Sequence, residues 1–278
     1  MDDLLFNQII EDVEHKWFGI LYRGVEKEFN NNPLPSHDHT HHLRVWFFAK
    51  ELLRELFTAG CEFNQSDIQK IIFAVFFHDV GLTRTLNADH GKESRKICEK
   101  FLKEKGIDLG KISDEVFNAI EMHDDKSYIN KRNKINTYTV LTIADDLDAY
   151  GAIGVYRYYE IYRLRKIESL IIPRMVIENL ENRFGFLNEV FGFLENFIRQ
   201  HFERKQYTSD YYSHVAFKPD LEILEQIMKK AFKNHHGIEF LIENESVERL
   251  EESKLITDIR KELIIFSDVY NKIKGFEH

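Results

Sequence analysis

Prolines and glycines are few in this chain of 278 residues, 4 and 13 respectively, so little interrupts its regular segments. Cysteine is scarcer still: Cys61 and Cys98 are too few for a disulfide framework and show no CxxC spacing for zinc or redox chemistry. Both read as reduced fillers. Basic charge is in deficit, with 38 Lys and Arg against 47 Asp and Glu, a net charge of −9 and a pI near 5.8. That balance argues against a general binder of long nucleic acid or membrane surfaces, which concentrates cations to meet phosphates, and leaves room for a local basic pocket. No segment reaches the roughly 18 apolar residues of a membrane span, and the acidic start MDDLLFNQIIEDVEHKW does not resemble a secretory signal. A soluble cytoplasmic protein is predicted.

What is present is apolar periodicity. With 43% hydrophobic residues the chain can bury a sizeable core, in one large domain or a domain plus an extension. Nearly every long stretch repeats apolar residues at spacings of three and four, which predicts an all-α fold. The helices expected are about 4–30, 40–59, 66–79, 90–105, 113–123, 136–149, 153–171, 177–204, 219–235, 237–252 and 255–273. Ser66 with Gln69 reads as a capping box ahead of IIFAVFF, and Ser113-Asp114-Glu115 as an acidic first turn. Longer connections are expected at NNPLPSHDHT, VGLTRTLNAD, DDKSYINKRNKIN and RKQYTSDYYSHVAFKP, lengths that often border functional sites. FGFL occurs at 184–187 and again at 191–194, a heptad-like seam for packing on the core or on a second copy, with Gly185 and Gly192 allowing close approach of another helix.

FFHDVG places His78 and Asp79 at the end of an apolar run. His41, Arg44, Val45 and Phe48 share one helix face, Val116, Ile120 and His123 another, and Leu141, Asp145 and Asp148 a third. Several apolar faces therefore deliver imidazole or carboxylate inward. Unpaired burial of such groups costs several kcal/mol each, and a shared divalent cation removes that cost by using them as ligands.

HxxRV at His41 to Val45, the His78-Asp79 doublet and IADDLDAYG around Asp145 resemble the three signatures of the HD-domain metal-dependent phosphohydrolases. The resemblance covers about residues 34–160, and implies a core over 1–175, including the N-terminal helix, with a helical extension over 176–278. It implies His41, His78, Asp79 and Asp145 as metal ligands, with His42 competing with His41, and Asp146 and Asp148 with Asp145. His90 and His123 match the extra histidines of family members that hold two metals. LDAYGAIGVYRYYE is similar to a stretch of small bacterial HD hydrolases acting on nucleotides. The chain departs from them in IADD where DAD would stand, in about 100 added residues, and in Leu82 where many relatives carry lysine.

Mixed imidazole and carboxylate ligands suit manganese, cobalt, iron, nickel or zinc better than magnesium, with manganese the first choice and one or two ions per chain. The expected reaction is hydrolysis of a phosphoester or phosphoanhydride in a small phosphorylated substrate, foremost a nucleotide. Arg44, Arg84 and Arg157 are candidate cationic partners of the phosphoryl group. Lys126, Lys131, Arg132 and Lys134 crowd the loop after His123. His37, which reads equally as a cap, and Asp148 join Arg84 and Lys126 as substrate-side candidates; with Asp145 as the ligand, Asp148 also reads as standing behind it on the same helical face. Asp79 and Asp124 are candidate catalytic carboxylates; Asp124 reads as an acid or base, or, preferred here, as the carboxylate orienting His123 through a ring N–H. The alternatives are a phosphodiesterase on cyclic or linear dinucleotides with a dinuclear site, an oxygenase built on a di-iron site, and a non-catalytic sensor or scaffold. A homodimer would use the FGFL seam.

Overall fold

The segment IIFAVFF has no polar face, so it can be stable only where other helices cover it on every side. In the computed structural model, which describes residues 2–30, 32–128, 134–214, 218–234, 237–238 and 253–266, it lies in such a position. Eleven α-helices and no strand occur among the described residues: α1 (Asp3–Phe29), α2 (His39–Thr58), α3 (Gln65–Phe77), α4 (His90–Lys105), α5 (Ser113–Met122), α6 (Thr137–Asp148), α7 (Gly151–Leu164), α8 (Ile172–Phe191), α9 (Glu195–His214), α10 (Lys218–Asn234) and α11 (Lys254–Ile265). The all-α expectation is met. No described helix is long and apolar enough to cross a membrane.

Helix α3 runs through the centre, with Ile71 to Phe77 all buried, and packs on α1, α2, α5 and α6. Trp17 and Phe18 of α1 meet Phe73 and Phe76 edge-on, so truncating Phe76 to alanine should cost about 3–5 kcal/mol. Its N-terminus is held by a capping box of Asn64 with Asp67, not Ser66 with Gln69: the Asn64 side chain accepts from the Asp67 amide and Asp67 accepts from Asn64 N–H. The register is two residues earlier than predicted because asparagine is an equally good cap.

Helix α6 is buried at every residue, because α2 and α3 cover one side and α8 the other. The expected helix 177–204 is two helices. Gly192 ends α8, Leu194 N–H bonds to Phe191 O, and α9 folds back along α8. Helix α8 also begins earlier, since Pro173 sits in its first turn, where a missing N–H costs nothing. Helix α7 stops at Leu164 rather than 171, ahead of Lys166 at φ 61°. The FGFL seam packs within the chain, with Leu187, Phe191 and Leu194 buried and Phe184 half-buried against the core. Neither glycine admits another helix: nothing lies within 4 Å of a Cβ at Gly185, and one at Gly192 meets only Asn188.

The segment expected as a loop at RKQYTSDYYSH is the C-terminal half of α9, whose Thr208 and Tyr212 bond to Gly151 O and Val155 O of α7. The expected helix 237–252 lies almost wholly outside the described residues.

Candidate metal centre

Each imidazole brought inward is aimed by its Nδ1. His78 Nδ1 lies 2.8 Å from Val75 O, His123 Nδ1 2.8 Å from Ile120 O, and His90 Nδ1 2.9 Å from Asn87 O. His41 Nδ1 lies 2.8 Å from Asp148 Oδ2. An oxygen acceptor at Nδ1 fixes the N–H there and turns the Nε2 lone pair inward, the tautomer a metal ligand needs.

The four Nε2 atoms converge on Asp79. Its Oδ2 lies 3.6 Å from both His41 Nε2 and His78 Nε2, and its Oδ1 lies 3.2 Å from His90 Nε2 and 3.1 Å from His123 Nε2. Asp145 Oδ1 completes the first side at 3.4 Å from His41 and 3.6 Å from His78. Two groups that can hold a cation result, His41, His78, Asp79 and Asp145, and Asp79, His90 and His123, with ligand atoms within 4.8 Å of one another in each. All six side chains are buried.

The local sequence explains this convergence. His78 caps the C-terminus of α3, and a 3-10 turn over Val80–Thr83 follows Asp79. A Cβ on Gly81 would stand 2.0 Å from His90 O and 2.6 Å from Ser94 N, so only glycine lets α4 close against the doublet. A Cβ on Gly91 would stand 2.4 Å from Glu121 O, and its absence lets α4 approach the end of α5 that carries His123.

Charge balance fits a cation. Burial opposes ionisation of Asp79, but His78 and hydrogen bonds with His123, His41 and His90 hold its carboxyl well below the usual range. Against burial, His41, His78 and Arg157 do the same for Asp145. Burial and Arg157 depress His41, yet Asp145, Asp148 and Asp79 push it up to about 9; His123, likewise opposed by burial, is raised to about 9 by Asp124, Asp79 and Asp145. Protons on imidazole thus balance carboxylate charge that a divalent cation would neutralise instead.

Other expected residues fall elsewhere. His42 shares Val75 O with His78 but packs beside Phe29, and burial followed by His78 and His41 keep its pKa well below normal. Asp148 takes the place expected behind the ligands and not the one at the substrate side. It is fully buried beneath His41, held by Arg44 Nε at 2.9 Å and Arg157 Nη1 at 3.0 Å. Arg44 belongs to that foundation too, bonding Asp148, Thr40 and Ser36 O rather than facing the cleft. Arg84 turns away to Glu28 of α1, 2.7 Å distant. Lys126 pairs with Asp146 at 2.7 Å, and Lys134 donates to Glu189 O. Lys131 and Arg132 lie outside the described residues. The orienting role preferred for Asp124 is corrected, since Ile120 O takes the His123 Nδ1–H; Asp124 instead approaches His90 Nε2 at 3.3 Å with its side chain about half exposed.

A cleft of about 80 Å³ opens over both groups, with His37, Leu82 and Asp124 on one side and α7 and α8 on the other. Burial, then Arg157 and His41, keep His37 well below its usual pKa and hence neutral. Arg157 reaches His41 Nε2 at 3.3 Å and Asp145 Oδ1 at 3.4 Å through Nη2 and pairs with Asp148 at 3.0 Å through Nη1, while its buried Nε makes no hydrogen bond. Of the other wall residues, Tyr158 belongs to the stretch LDAYGAIGVYRYYE, while Asn179 and Arg183 belong to no motif. Arg183 bonds Asn179 at 2.7 Å, Asp145 at 3.5 Å and, very closely, Asp146. Two larger cavities, of about 510 Å³ and 530 Å³, lie elsewhere, but among the described residues ligand-type side chains converge only here.

Comparisons with curated proteins and with solved structures found no match. The model of the HD domain family matches residues 39–150. That span contains every side chain of the two groups, and the chain therefore carries an HD domain, in a helical protein with further C-terminal helices.

Proposed function

We propose that this protein is a metal-dependent phosphohydrolase with a dinuclear centre, acting on a small phosphorylated substrate, foremost a nucleotide. His41, His78, Asp79 and Asp145 would hold one cation and Asp79, His90 and His123 the other, with Asp79 shared. Such cations supply a bound water acidified to near neutrality and polarise a phosphoryl oxygen. Manganese is the first metal to test, with cobalt, iron, nickel and zinc behind it.

The observation that carries the reading is Arg157. Its side chain is 5% exposed, lines the cleft beside Asp145, and leaves its Nε–H without an acceptor. A buried donor without a partner costs about 1–3 kcal/mol, which a phosphoryl oxygen over the centre would recover. Arg183 and Asn179 add a second donor-rich wall, which makes the helical region after residue 175 an extension that completes the site. Tyr158 and Tyr162 also line the cleft, where their rings can meet the remainder of the substrate. Asp124, half exposed at the second group, is placed to accept or return a proton there.

The shared position of Asp79 also favours the alternative of a phosphodiesterase on a cyclic or linear dinucleotide, because both readings need two cations. A panel of nucleoside mono-, di- and triphosphates and cyclic dinucleotides, assayed with manganese, cobalt and magnesium, separates the two. Release of phosphate or pyrophosphate is expected. Cleavage of dinucleotides alone would select the diesterase, and inactivity with metal bound would leave a sensor.

A further inference from the structure

Ahead of α2, Ser36 and His37 meet a carboxylate 124 residues away. Glu160 of α7 is fully buried, and its Oε1 accepts from Ser36 N–H at 2.9 Å and from Ser36 Oγ–H at 2.7 Å, while its Oε2 accepts from Tyr156 O–H at 2.5 Å. The Ser36 hydroxyl also lies 2.8 Å from His37 Nδ1. A hydroxyl has one hydrogen. Because Ser36 spends its hydrogen on Glu160, its lone pair faces His37, and Nδ1 must be the ring nitrogen that carries the proton. His37 Nε2 is then an unprotonated acceptor with no partner among the described residues, on a ring that lines the cleft.

We infer that His37 is a tautomerically fixed hydrogen-bond acceptor at the site, with Ser36 and Glu160 as positioning residues, and that it receives an O–H group over the metal centre. This rests on the phosphohydrolase reading. Arg157, Arg165, Asn179 and Arg183 of the cleft can donate to phosphoryl oxygens, and Asp79, Asp145 and His90 are committed to the two groups. An ionised phosphoryl group has no hydrogen to offer an acceptor. The O–H that reaches His37 therefore belongs to a hydroxyl of the substrate beside its phosphate or to the attacking water. Placement of Glu160 on the C-terminal half of α7 ties this acceptor to the same helix that carries Arg157, so donor and acceptor are held in fixed relation across the cleft.

The tautomer is read directly from long-range ¹⁵N–¹H correlation spectra of the full chain with labelled histidine, loaded with zinc, with His37 assigned by its loss in His37→Asn. The expected wild-type signature is protonated Nδ1 and bare Nε2. Ser36→Ala should mix the tautomers, and Glu160→Gln, which retains an acceptor oxygen for Ser36, should preserve them. A wild-type Nε2–H, or no response to Ser36→Ala, overturns the inference. This readout needs no turnover, so it stands even if the panel above detects no hydrolysis. With a nucleotide that is turned over, His37→Ala and Ser36→Ala should each lower kcat/KM about 10- to 100-fold at unchanged metal content. Loss confined to hydroxyl-bearing substrates, against their deoxy analogues, identifies the substrate hydroxyl; equal loss for both identifies water. A change under twofold for both overturns it.

Discussion

The two halves of the centre rest on different foundations. In the first group, His41 is braced by Asp148, which is clamped by Arg44 of α2 and Arg157 of α7, a buried charged scaffold built from three helices. In the second, His90 and His123 are braced only by the carbonyls of Asn87 and Ile120, three residues before each. The first group also holds two carboxylates to the second's one, apart from half-exposed Asp124. With cations bound as proposed, the first group would be the tighter site; its geometry depends on side chains far away in sequence, whereas that of the second depends on how two helix ends are packed.

The largest effect should come from the residue common to both. Asp79→Asn removes one anionic ligand from each group, and since loss of a partner behind a ligand already costs 10–100-fold in metal affinity or activity, this change should exceed about 100-fold in kcat and lower metal content for both sites. Metal analysis giving one retained ion with full occupancy would break the shared-ligand geometry. Next, the groups can be separated: His90→Ala should reduce two metals per chain to one, while His41→Ala should reduce affinity at both, because its group anchors Asp79. Equal single losses in the two variants would show that the foundations do not rank the sites.

The scaffold itself makes the third test. Asp148→Asn leaves Arg44 and Arg157 buried beside a neutral amide, and breaking a buried pair from one side costs about 3–5 kcal/mol. Chemical unfolding of the metal-free protein reads this loss. No side-chain substitution can make the equivalent change at His90 or His123, whose braces are backbone.

This asymmetry also governs what was legible in the sequence. His41, His78, Asp79, His90, His123 and Asp145 stand at helix ends or on inward stripes, where periodicity marks them, and the structure brings all six together. Their neighbours behaved otherwise. Arg84 follows the doublet by five residues, yet the 3-10 turn after Asp79 directs it outward to Glu28. Asp124 follows His123 directly and its position suggests a brace, but a carbonyl one turn back fills that role. Arg183 and Asn179 leave no mark in the sequence, because a residue contributed by a distant helix reaches a site through tertiary packing that leaves no local spacing; Glu160 lies inside LDAYGAIGVYRYYE, but its meeting with Ser36, 124 residues away, is equally unmarked. The same applies to helix ends: Pro173 and Gly192 were visible, but whether a helix begins at the first or stops at the second is decided by what α6 and α7 offer to pack against.

A smaller effect tests the α7 side of the scaffold through pH. Burial pushes Glu160 up to about 7, against hydrogen bonds from Tyr156 and Ser36 that favour its ionised form. A carboxyl whose folded pKa lies above its ordinary value of 4.5 stabilises fully below that value, and the contribution is lost as pH rises through about 7. Relative to Glu160→Gln, the wild type should therefore lose up to about 3 kcal/mol between pH 4.5 and pH 8, at 1.4 kcal/mol per pKa unit. Parallel stability curves for the two proteins would contradict the burial of that charge.

The smallest expected effect lies at the margin of the second group. Arg84 carries the only strong cation in the turn between the doublet and α4 that sequence position would assign to the phosphate, but its side chain is 47% exposed and paired with Glu28. An exposed pair of this kind contributes about 0–1 kcal/mol. Arg84→Ala should leave kcat/KM within twofold and stability within about 1 kcal/mol, while Arg157→Ala, removing the buried guanidinium beside Asp145, should cost about 100-fold or more in kcat. A reversal of that order in steady-state kinetics would mean that the phosphoryl group enters from the α4 side, over His90, and that the second group rather than the first receives it.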